Sequence, residues 1–359
     1  MSSSTDQPFE CFVGIDIAAK DFTAAILLPN QKPKLEKGSF EQNVDGFSRF
    51  TAVLQTTGYA SGRVLVVMEA TGPYWVALAV TLTQAGFATS VVNPAQVHYF
   101  AKAQLKRAKN DQLDAQTLAQ FAQALLPKIW TPPPHFYYEL RQRLTQRDNL
   151  LKLQGQVDNQ RHALSVSPTI IESVQVQLES LHQSLSEHIK HMEHELAALI
   201  KFDLDERLSP DQPSLTPDQE WQKSIALLRT IPGIGPLTAC WLVLATLNFT
   251  TCSSVEALVH YAGLAPLERT SGTSVRGRSQ IGHSGNARLR TLLFLATLTA
   301  ARFNPLIKTF WHRLRIEKNK PVKVARCACA RKLLHLAYAI VKSGKPFVAD
   351  YGLDVAKAA

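Results

Sequence analysis

Four carboxylates in the first third of the chain occupy positions from which they could act together. Asp16 and Glu69 each end an apolar run. Asp111 and Asp114 are three residues apart, which places both on one face of a helix. Converging carboxylates repel one another unless divalent cations neutralise them, and their hard oxygen atoms select Mg²⁺ or Mn²⁺. We therefore predict a site for these ions, on the strength of the strand-end positions rather than of the acids alone.

The same four acids would suit chemistry at a phosphodiester. Two divalent ions held about 3.5–4 Å apart can activate an attacking oxygen and stabilise a leaving oxygen at phosphorus. Cations that come shortly before the second pair of acids could bring the backbone of a nucleic acid to this site. These cations are Lys102, Lys106, Arg107 and Lys109.

A second candidate group lies in the last third of the chain, in RTSGTSVRGRSQIGHS, residues 269–284. Ser271 lies in what we predict to be a flexible Gly/Ser-rich loop, Thr270–Gly285. Attack on a phosphodiester needs an exposed hydroxyl and guanidinium groups that hold phosphate oxygens. A nucleic-acid-binding loop with incidental serines is an equally good interpretation, and composition does not choose among the serines. The rivals of Ser271 are Ser274, Ser279 and Ser284, and the cations nearby are Arg276, Arg278, His283, Arg288 and Arg290.

Positive charge is concentrated in one segment of the chain. The 359 residues have a formal net charge of +10. Between Arg269 and Lys332 there are 15 Lys and Arg residues and one acid, Glu317, so this segment carries +14 and the remainder −4. Such a field beside a near-neutral body is typical of a protein with a polyanionic partner. No amphipathic anchor or lipidation motif points to a membrane instead.

Other features of composition narrow the class of protein. The sequence is 45% apolar and 19% charged, as in globular proteins, and long enough for two or three domains. Its five cysteines lack paired zinc-site spacing, and we interpret them as reduced thiols of a cytoplasmic protein. The N-terminus has no apolar signal core, and the run Leu292–Ala301 is too short to span a membrane.

Hydrophobic patterns predict an α/β domain over residues 10–130. Their order favours a mixed sheet, antiparallel at first and parallel later, with helices on its faces. If the strands ending at Asp16 and Glu69 are neighbours and point the same way, their carboxylates lie side by side. Strands are predicted at Phe12–Ile17, Phe22–Leu28, Lys34–Phe40, Arg63–Met68 and Ala88–Val92, and helices at Val44–Gln55, Trp75–Ala85 and Gln112–Leu125.

Two long helical patterns follow a proline cluster and predict an arm over residues 135–205. The second pattern has apolar residues at alternating three- and four-residue steps, which is a heptad seam. An antiparallel hairpin or an intermolecular coiled coil would bury this seam, so we interpret the arm as a spacer or a dimerisation element. The seam residues are Ile171, Val174, Leu178, Leu181, Leu185, Met192 and Leu199, interrupted by His188 and Glu195.

The third predicted domain, residues 220–345, is mainly helical. Its sequence IPGIGP, Ile231–Pro236, lies between two apolar helices and looks like a helix-hairpin-helix turn. Exposed backbone amides at Gly233 and Gly235 would suit a DNA phosphate, but a packing turn is an equally good interpretation. Two further helices, at about residues 286–303 and 321–343, follow the serine loop.

Several segments, in order along nearly the whole chain, resemble the DEDD serine transposases of insertion sequences. This is the IS110 family, which includes Piv-like invertases. The segments are GIDIAAKD, VVMEATGPYW, the K-x-D-x-x-D pattern that ends at Asp114, IPGIGPLTA and YAGLAPLERTSGTSVRGRSQIGHSGNARLRTLL.

The resemblance implies a fold and a set of site residues. It implies an RNase H-like (RuvC-like) N-terminal domain, a coiled-coil arm and a C-terminal transposase domain. The family's four metal-binding acids fall on Asp16, Glu69, Asp111 and Asp114, and its nucleophilic serine maps best to Ser271.

The resemblance also implies a reaction and its partners. The serine would attack a DNA phosphodiester, forming a phosphoserine link, and reversal after strand exchange would reseal the backbone without ATP. Because the serine and the acids lie in different predicted domains, an active site shared between protomers of a homodimer or homotetramer is expected. A structured non-coding bridge RNA that pairs with target and donor DNA is a further implied partner.

Three other interpretations use part of the same evidence. A RuvC-like, metal-dependent, structure-specific nuclease would use the acids with water as the nucleophile. A non-catalytic nucleic-acid-binding protein would need only the hairpin turn and the basic helices. An actin-like ATPase also opens with a G-I-D strand, but the later Gly-rich phosphate loops of that class do not follow here.

Overall fold

The structure is a computed structural model that describes residues 8–28, 34–35, 39–104, 111–204, 214–271, 275–282 and 284–349. The chain divides into two compact units between Pro132 and Pro133. All five cysteines are free. Within the described ranges, no helix combines the length and apolar character needed to cross a bilayer.

The first unit is a mixed sheet with helices on both faces. The strands lie in the order β3-β2-β1-β5-β6, and β4 also pairs with β2. β1 is antiparallel to β2 and parallel to β5, and β5 is parallel to β6, so the predicted mixed sheet is confirmed. The elements are β1 (Cys11–Ile17), β2 (Asp21–Leu27), β3 (Lys34–Leu35), β4 (Phe40–Glu41), α1 (Val44–Gln55), a 3₁₀ turn (Ser61–Arg63), β5 (Val64–Glu69), α2 (Trp75–Gln84), β6 (Ala88–Val92), α3 (Pro94–Ala103) and α4 (Asp111–Leu125).

Two details of this unit differ from the sequence prediction. Of the predicted strand Lys34–Phe40, the structure describes two short pieces, β3 and β4, which both pair with β2 in registers that differ by two residues; residues 36–38 lie outside the described part. The helix α3 was not predicted, although Asn93 accepts a hydrogen bond from the amide of Ala95 and Pro94 occupies the first turn. An Asn cap followed by proline is a recognised start signal for a helix, so the sequence did contain the information.

The central strands β1 and β5 bury side chains on both faces of the sheet. Val13 and Val66 pack in the core shared with α1 and α2. Phe12 and Leu65, one residue earlier in each strand, pack in the core shared with α4. This alternation follows from the pleat of a strand, in which successive side chains point to opposite faces.

Helix α4 lies directly on β1 at Gly14. A Cβ atom at Gly14 would be 2.1 Å from the carbonyl oxygen of Ala115 and 2.2 Å from the amide nitrogen of Ala119. No side chain fits in that space, because both atoms belong to the backbone of the helix. Gly14 therefore sets how closely α4 approaches the sheet.

The second unit begins with a helical hairpin, α5 (His135–Ser165) and α6 (Glu172–Leu199). Arg143 bonds to Glu195 at 3.1 Å, and Gln154 bonds to Ser186 at 2.8 Å. Residue numbers thus rise along α5 as they fall along α6, so the two helices are antiparallel. We name this hairpin the arm.

The buried stripe of α6 differs in part from the predicted seam. Ile189 and Leu196 are 7% and 3% exposed, although neither belongs to the predicted seam. Ile171 and Leu181 belong to that seam but are 59% and 54% exposed. Only side chains that face α5 or the core of the second unit are covered, which the spacing of apolar residues does not specify.

The remainder of the second unit is mainly helical around one core. Capping residues begin several of its helices, among them Thr216 with Gln219 in a capping box, and Asn286. The elements are α7 (Pro217–Arg229), α8 (Pro236–Ala245), α9 (Val255–Tyr261), β7 (Pro266–Ser271), β8 (Val275–Ile281), α10 (Ala287–Phe303), α11 (Pro305–His312), a π-helical turn (Arg313–Glu317) and α12 (Val322–Ser343).

The prediction of a loop over Thr270–Gly285 is wrong for most of these residues. β7 and β8 form an antiparallel hairpin, with Thr270 opposite Arg276 and a register irregularity between Leu267 and Arg269. Glycine and serine have low strand propensity, so the composition of this segment did not indicate the two strands, which pair with each other. We name residues 266–281 the serine hairpin.

Candidate active site and nucleic-acid-binding residues

Asp16 and Glu69 lie on adjacent parallel strands at the same edge of the sheet. Ile15 of β1 is in register with Met68 of β5, and each acid is the next residue of its strand. Ile15 and Met68 point into the core shared with α1 and α2. Successive side chains of a strand alternate between faces, so the two acids that follow lie on the opposite face, which α4 covers. Both residues are half-buried. The side-by-side arrangement expected from the sequence is therefore present.

Asp114 lies on the helix that covers this same face. It is half-buried and directly precedes Ala115, whose carbonyl oxygen packs on Gly14 of β1. Asp111 is the first residue of α4, and its side chain is outside the described part of the structure. Two strand ends and one helix thus supply acids to one face of the sheet.

The donors of this group fit a hard divalent cation. Carboxylate oxygens are the ligands that Mg²⁺ and Mn²⁺ prefer, and the group contains no soft sulfur donor. Among the side chains that the structure describes, no set of three or more His, Cys, Asp and Glu meets the requirements of a metal site. Asp16, Glu69 and Asp114 are among these described side chains, so these three alone do not form such a set. The side chain of Asp111, the fourth predicted ligand, lies outside the described residues.

The cations predicted to guide a nucleic acid to the acids can be placed only in part. Lys102 is exposed in the last turn of α3. Lys106, Arg107 and Lys109 lie outside the described residues. Their role in nucleic-acid binding stays a prediction.

Ser271 is the last residue of β7. It is in register with Val275, the first residue of β8, so it lies where the serine hairpin turns. The side chains of Ser271 and of its rival Ser279 are outside the described residues, as are Ser274 and His283 entirely. The remaining rival, Ser284, is exposed after β8. Arg276 and Arg278 lie on β8, and the structure describes their backbone only.

The two ends of the serine hairpin are tied together at its base. The Nη1 atom of Arg290 donates to the carbonyl oxygen of Ser284 at 3.0 Å and to that of Gly263 at 3.5 Å. A Cβ atom on Gly285 would be 2.6 Å from the amide nitrogen of Gly263, so the two chain segments touch. Arg290, predicted to contact nucleic acid, therefore also holds the base of the hairpin.

Arg288 is likewise engaged within the protein. Its guanidinium pairs with Asp148 of α5 and lies 4.9 Å from the ring centroid of Trp241 on α8. Asp148 also lies 3.8 Å from Arg147, which pairs with Glu193 of α6 at 2.5 Å. This chain of contacts joins the start of α10 to both helices of the arm. Sequence reasoning missed Asp148 and Trp241 because both are far from Arg288 along the chain.

The IPGIGP turn is partly a packing turn. Gly233 has a φ of +106°, and a Cβ atom there would be 2.5 Å from the Cβ atom of Ala300 on α10. Pro232 accepts a hydrogen bond from the Asn304 side chain at 3.3 Å. Gly235, in contrast, is exposed and begins α8. The close approach of Ala300 therefore explains why residue 233 is a glycine. A phosphate contact at Gly235 stays a prediction.

Comparison with known proteins gives two family matches that together span both units. A DEDD-type IS110 model described as a transposase matches residues 13–165. A second model, described as a transposase of the IS116/IS110/IS902 family, matches residues 225–312. The first match includes all four acids, and the second includes the IPGIGP turn and the serine hairpin.

Individual relatives agree with these matches. The pilin gene-inverting protein of Moraxella bovis is 31% identical over 337 residues, which cover 94% of this chain and 97% of that protein. The corresponding protein of Moraxella lacunata is 30% identical over the same shares. An uncharacterized 43.6 kDa protein of insertion element IS110 from Streptomyces coelicolor is 30% identical over 118 residues, 33% of this chain and 29% of that protein.

Proposed function

The chain belongs to the IS110 family of transposases, and on this premise we propose that it cuts and rejoins DNA through a serine–DNA phosphoester. The family makes it a DNA-recombining enzyme with DNA as its partner. The observation that carries the proposed chemistry is the group of acids on one face of the sheet. Asp16 is the last but one residue of β1 and Glu69 is the last residue of the parallel neighbour β5, under the helix that carries Asp114.

The acids are proposed to hold Mg²⁺, or Mn²⁺ in its place. Asp16, Glu69, Asp111 and Asp114 would be the ligands. A bound ion of this kind neutralises the carboxylates and stabilises negative charge at a reacting phosphate. The rigid β1–β5 pair supports this role, because it fixes two of the four carboxylates on secondary structure rather than on loops.

Ser271 is proposed to be the nucleophile. Its Oγ atom would form a bond to phosphorus while the bond from phosphorus to the 3′ oxygen of DNA breaks, and the serine proton would end on that 3′ oxygen. One ester replaces another, so the reverse attack by a 3′ hydroxyl can reseal the strand without an external energy source. The position of Ser271 at the turn of a hairpin held at its base supports this assignment.

The proposed partners besides DNA are a bridge RNA and further copies of the chain. The concentrated positive charge between Arg269 and Lys332 would suit either nucleic acid. Assembly as a homodimer or homotetramer through the arm is supported by apolar side chains of the predicted seam that the arm leaves exposed, including Ile171 and Leu181.

A covalent-adduct experiment tests this proposal. The protein is incubated with a labelled element-end DNA, its RNA and Mg²⁺, and the products are separated on a denaturing gel. We expect a protein–DNA adduct that mass mapping places on Ser271, and loss of this adduct in Ser271→Ala but not in the exposed rival variant Ser284→Ala. An adduct on another residue would overturn the nucleophile. Cleavage by Ser271→Ala without any adduct in the unmodified protein would instead indicate a water-using nuclease.

A further inference from the structure

The second unit contains a basic surface that the proposed chemistry does not use. Residues 302–323 hold seven Lys and Arg residues and one acid, Glu317. They cover the end of α10, α11, the π-helical turn and the start of α12. Four lysines of this segment are exposed: Lys308, Lys318, Lys320 and Lys323. We name residues 313–323, which contain three of them, the basic turn.

The lysines of the basic turn are not neutralised by acids in the described part of the chain. Within residues 302–323, the ion pair that involves a carboxylate is that of Glu317 with His312, at 3.9 Å. Lys318, Lys320 and Lys323 form no ion pair with a described acid. Like charges so close together repel one another, so a polyanion that binds them relieves that repulsion.

The backbone of the basic turn is held in one shape. The amide of Lys320 donates to the carbonyl oxygen of Leu314 at 2.9 Å. Arg315 donates to the carbonyl oxygen of Lys320, and Asn319 between them has a φ of +42°. A turn that is already ordered loses less conformational entropy on binding than a mobile basic tail would.

The rings beside the basic turn favour a backbone contact over base stacking. Proteins that bind single strands present open aromatic faces to the bases. Here Arg326 lies 5.5 Å from the centroid of the Trp311 ring, and Lys332 lies 4.8 Å from that of Phe310. Of the Phe and Trp rings in residues 302–323, only Phe303 is largely exposed, at 69%. Phosphates of a duplex are therefore the better match.

We propose that the basic turn binds the phosphate backbone of duplex DNA through Lys318, Lys320 and Lys323. The three lysines span six residues, which reach at most about 20 Å, so they can contact successive phosphates of one duplex. Phosphate contacts position a protein on DNA without reading its sequence. The inference relies on DNA as the partner of this family, but not on Ser271 as the nucleophile.

The salt dependence of DNA binding tests this proposal. Binding of a 5′-labelled random-sequence duplex by the full-length chain is measured by fluorescence anisotropy over a range of KCl concentrations. The triple variant Lys318→Gln, Lys320→Gln and Lys323→Gln should reduce the magnitude of the slope of log K against log[KCl] by about 2.7, since each lost phosphate contact accounts for about 0.9. The single variant Glu317→Gln should strengthen binding.

A matched variant controls for net charge. Lys152→Gln, Lys190→Gln and Lys201→Gln remove the same charge from exposed lysines on and beside the arm, and should leave the slope unchanged. Thermal unfolding midpoints of both triple variants should match that of the unmodified chain. An unchanged slope in the basic-turn variant, or an equal decrease in the control, would overturn the proposal. The measurement needs no cleavage, so it is independent of the proposed serine chemistry.

Discussion

At the scale of single residues, Asp16 and Glu69 are the proposed metal ligands whose positions the sheet fixes most directly. Each is a half-buried carboxylate, and two carboxylates held close together repel one another. Asp16 and Glu69 lie side by side on one face, so the sheet brings together two such charges. Their amides, Asn and Gln, have nearly the same shape but cannot provide an anionic ligand.

We therefore expect Asp16→Asn and Glu69→Gln each to reduce Mg²⁺-dependent DNA cleavage at least about 100-fold while the fold is retained. The measurement is the initial rate of cleavage at saturating DNA, together with the circular dichroism spectrum. Asp45→Asn, at an exposed acid in the first turn of α1, is the matched control and should cleave normally. Cleavage by Asp16→Asn at the rate of that control would remove the acids from the proposed site.

The placement of Asp16 and Glu69 on neighbouring parallel strands could be predicted from the sequence because the signal is local. An apolar run that ends in a carboxylate can be recognised within ten residues. The register of β1 and β5 then brings the two acids next to each other. The internal contacts of Arg288 could not be predicted in this way. Asp148 lies 140 positions away, and no spacing rule connects two helices that meet only in the folded chain. The concentrated positive charge alone predicts that Arg288 contacts a nucleic acid, whereas the structure shows contacts of Arg288 within the protein.

At the scale of secondary structure elements, Gly14 controls the position of α4 and hence of Asp114. We expect Gly14→Ala to lower the free energy of unfolding by about 3 kcal/mol, because its methyl group would meet helix backbone that cannot move aside cheaply. Gly155→Ala is the control. Gly155 has open space around it on α5, so the same substitution should stabilise the chain by about 0.5–1 kcal/mol. Urea unfolding measures both, and equal effects would contradict the close packing of α4.

Arg290 offers a second test at this scale, because it ties both ends of the serine hairpin. Arg290→Gln should speed amide hydrogen exchange in β7 and β8 and leave the salt dependence of DNA binding unchanged. Arg276→Gln, on the hairpin itself, is the comparison and should reduce the salt slope by about 0.9 if it contacts a phosphate. A reduced slope with unchanged exchange in Arg290→Gln would show that this arginine binds DNA instead, as the sequence alone predicts.

The sequence predicted some secondary structure elements more accurately than others. Long periodic helices such as α10 and α12 agree with the sequence prediction to within a few residues, because their apolar faces are buried in one core. The sequence did not predict the serine hairpin, because its strands hold three Arg and two Ser and lack an alternating apolar pattern. The structure defines that hairpin through the pairing between β7 and β8.

At the scale of the whole molecule, charge and apolar surface are separated along the chain. Positive charge is concentrated after Arg269, whereas the arm leaves apolar side chains exposed on α6. Ile171, Val174 and Leu181 belong to one predicted heptad stripe, and their exposed fractions are 59%, 39% and 54%. An apolar stripe that α5 does not cover is typical of a surface that another helix occupies. A second copy of the arm would provide such a helix.

Assembly through the arm can be tested with substitutions on α6 in the full-length chain. Val174 and Leu181 are seven residues apart and therefore share one face, so Val174→Ser with Leu181→Ser should shift the chain to a smaller species in sedimentation velocity. Val176→Ser is the matched control: Val176 is 57% exposed on the same helix but lies on a different face, so its substitution should leave the sedimentation coefficient unchanged. The arm would have no part in assembly if the double variant sedimented like the unmodified chain. Equal dissociation by the control would mean that general apolar exposure, rather than this stripe, holds the copies together.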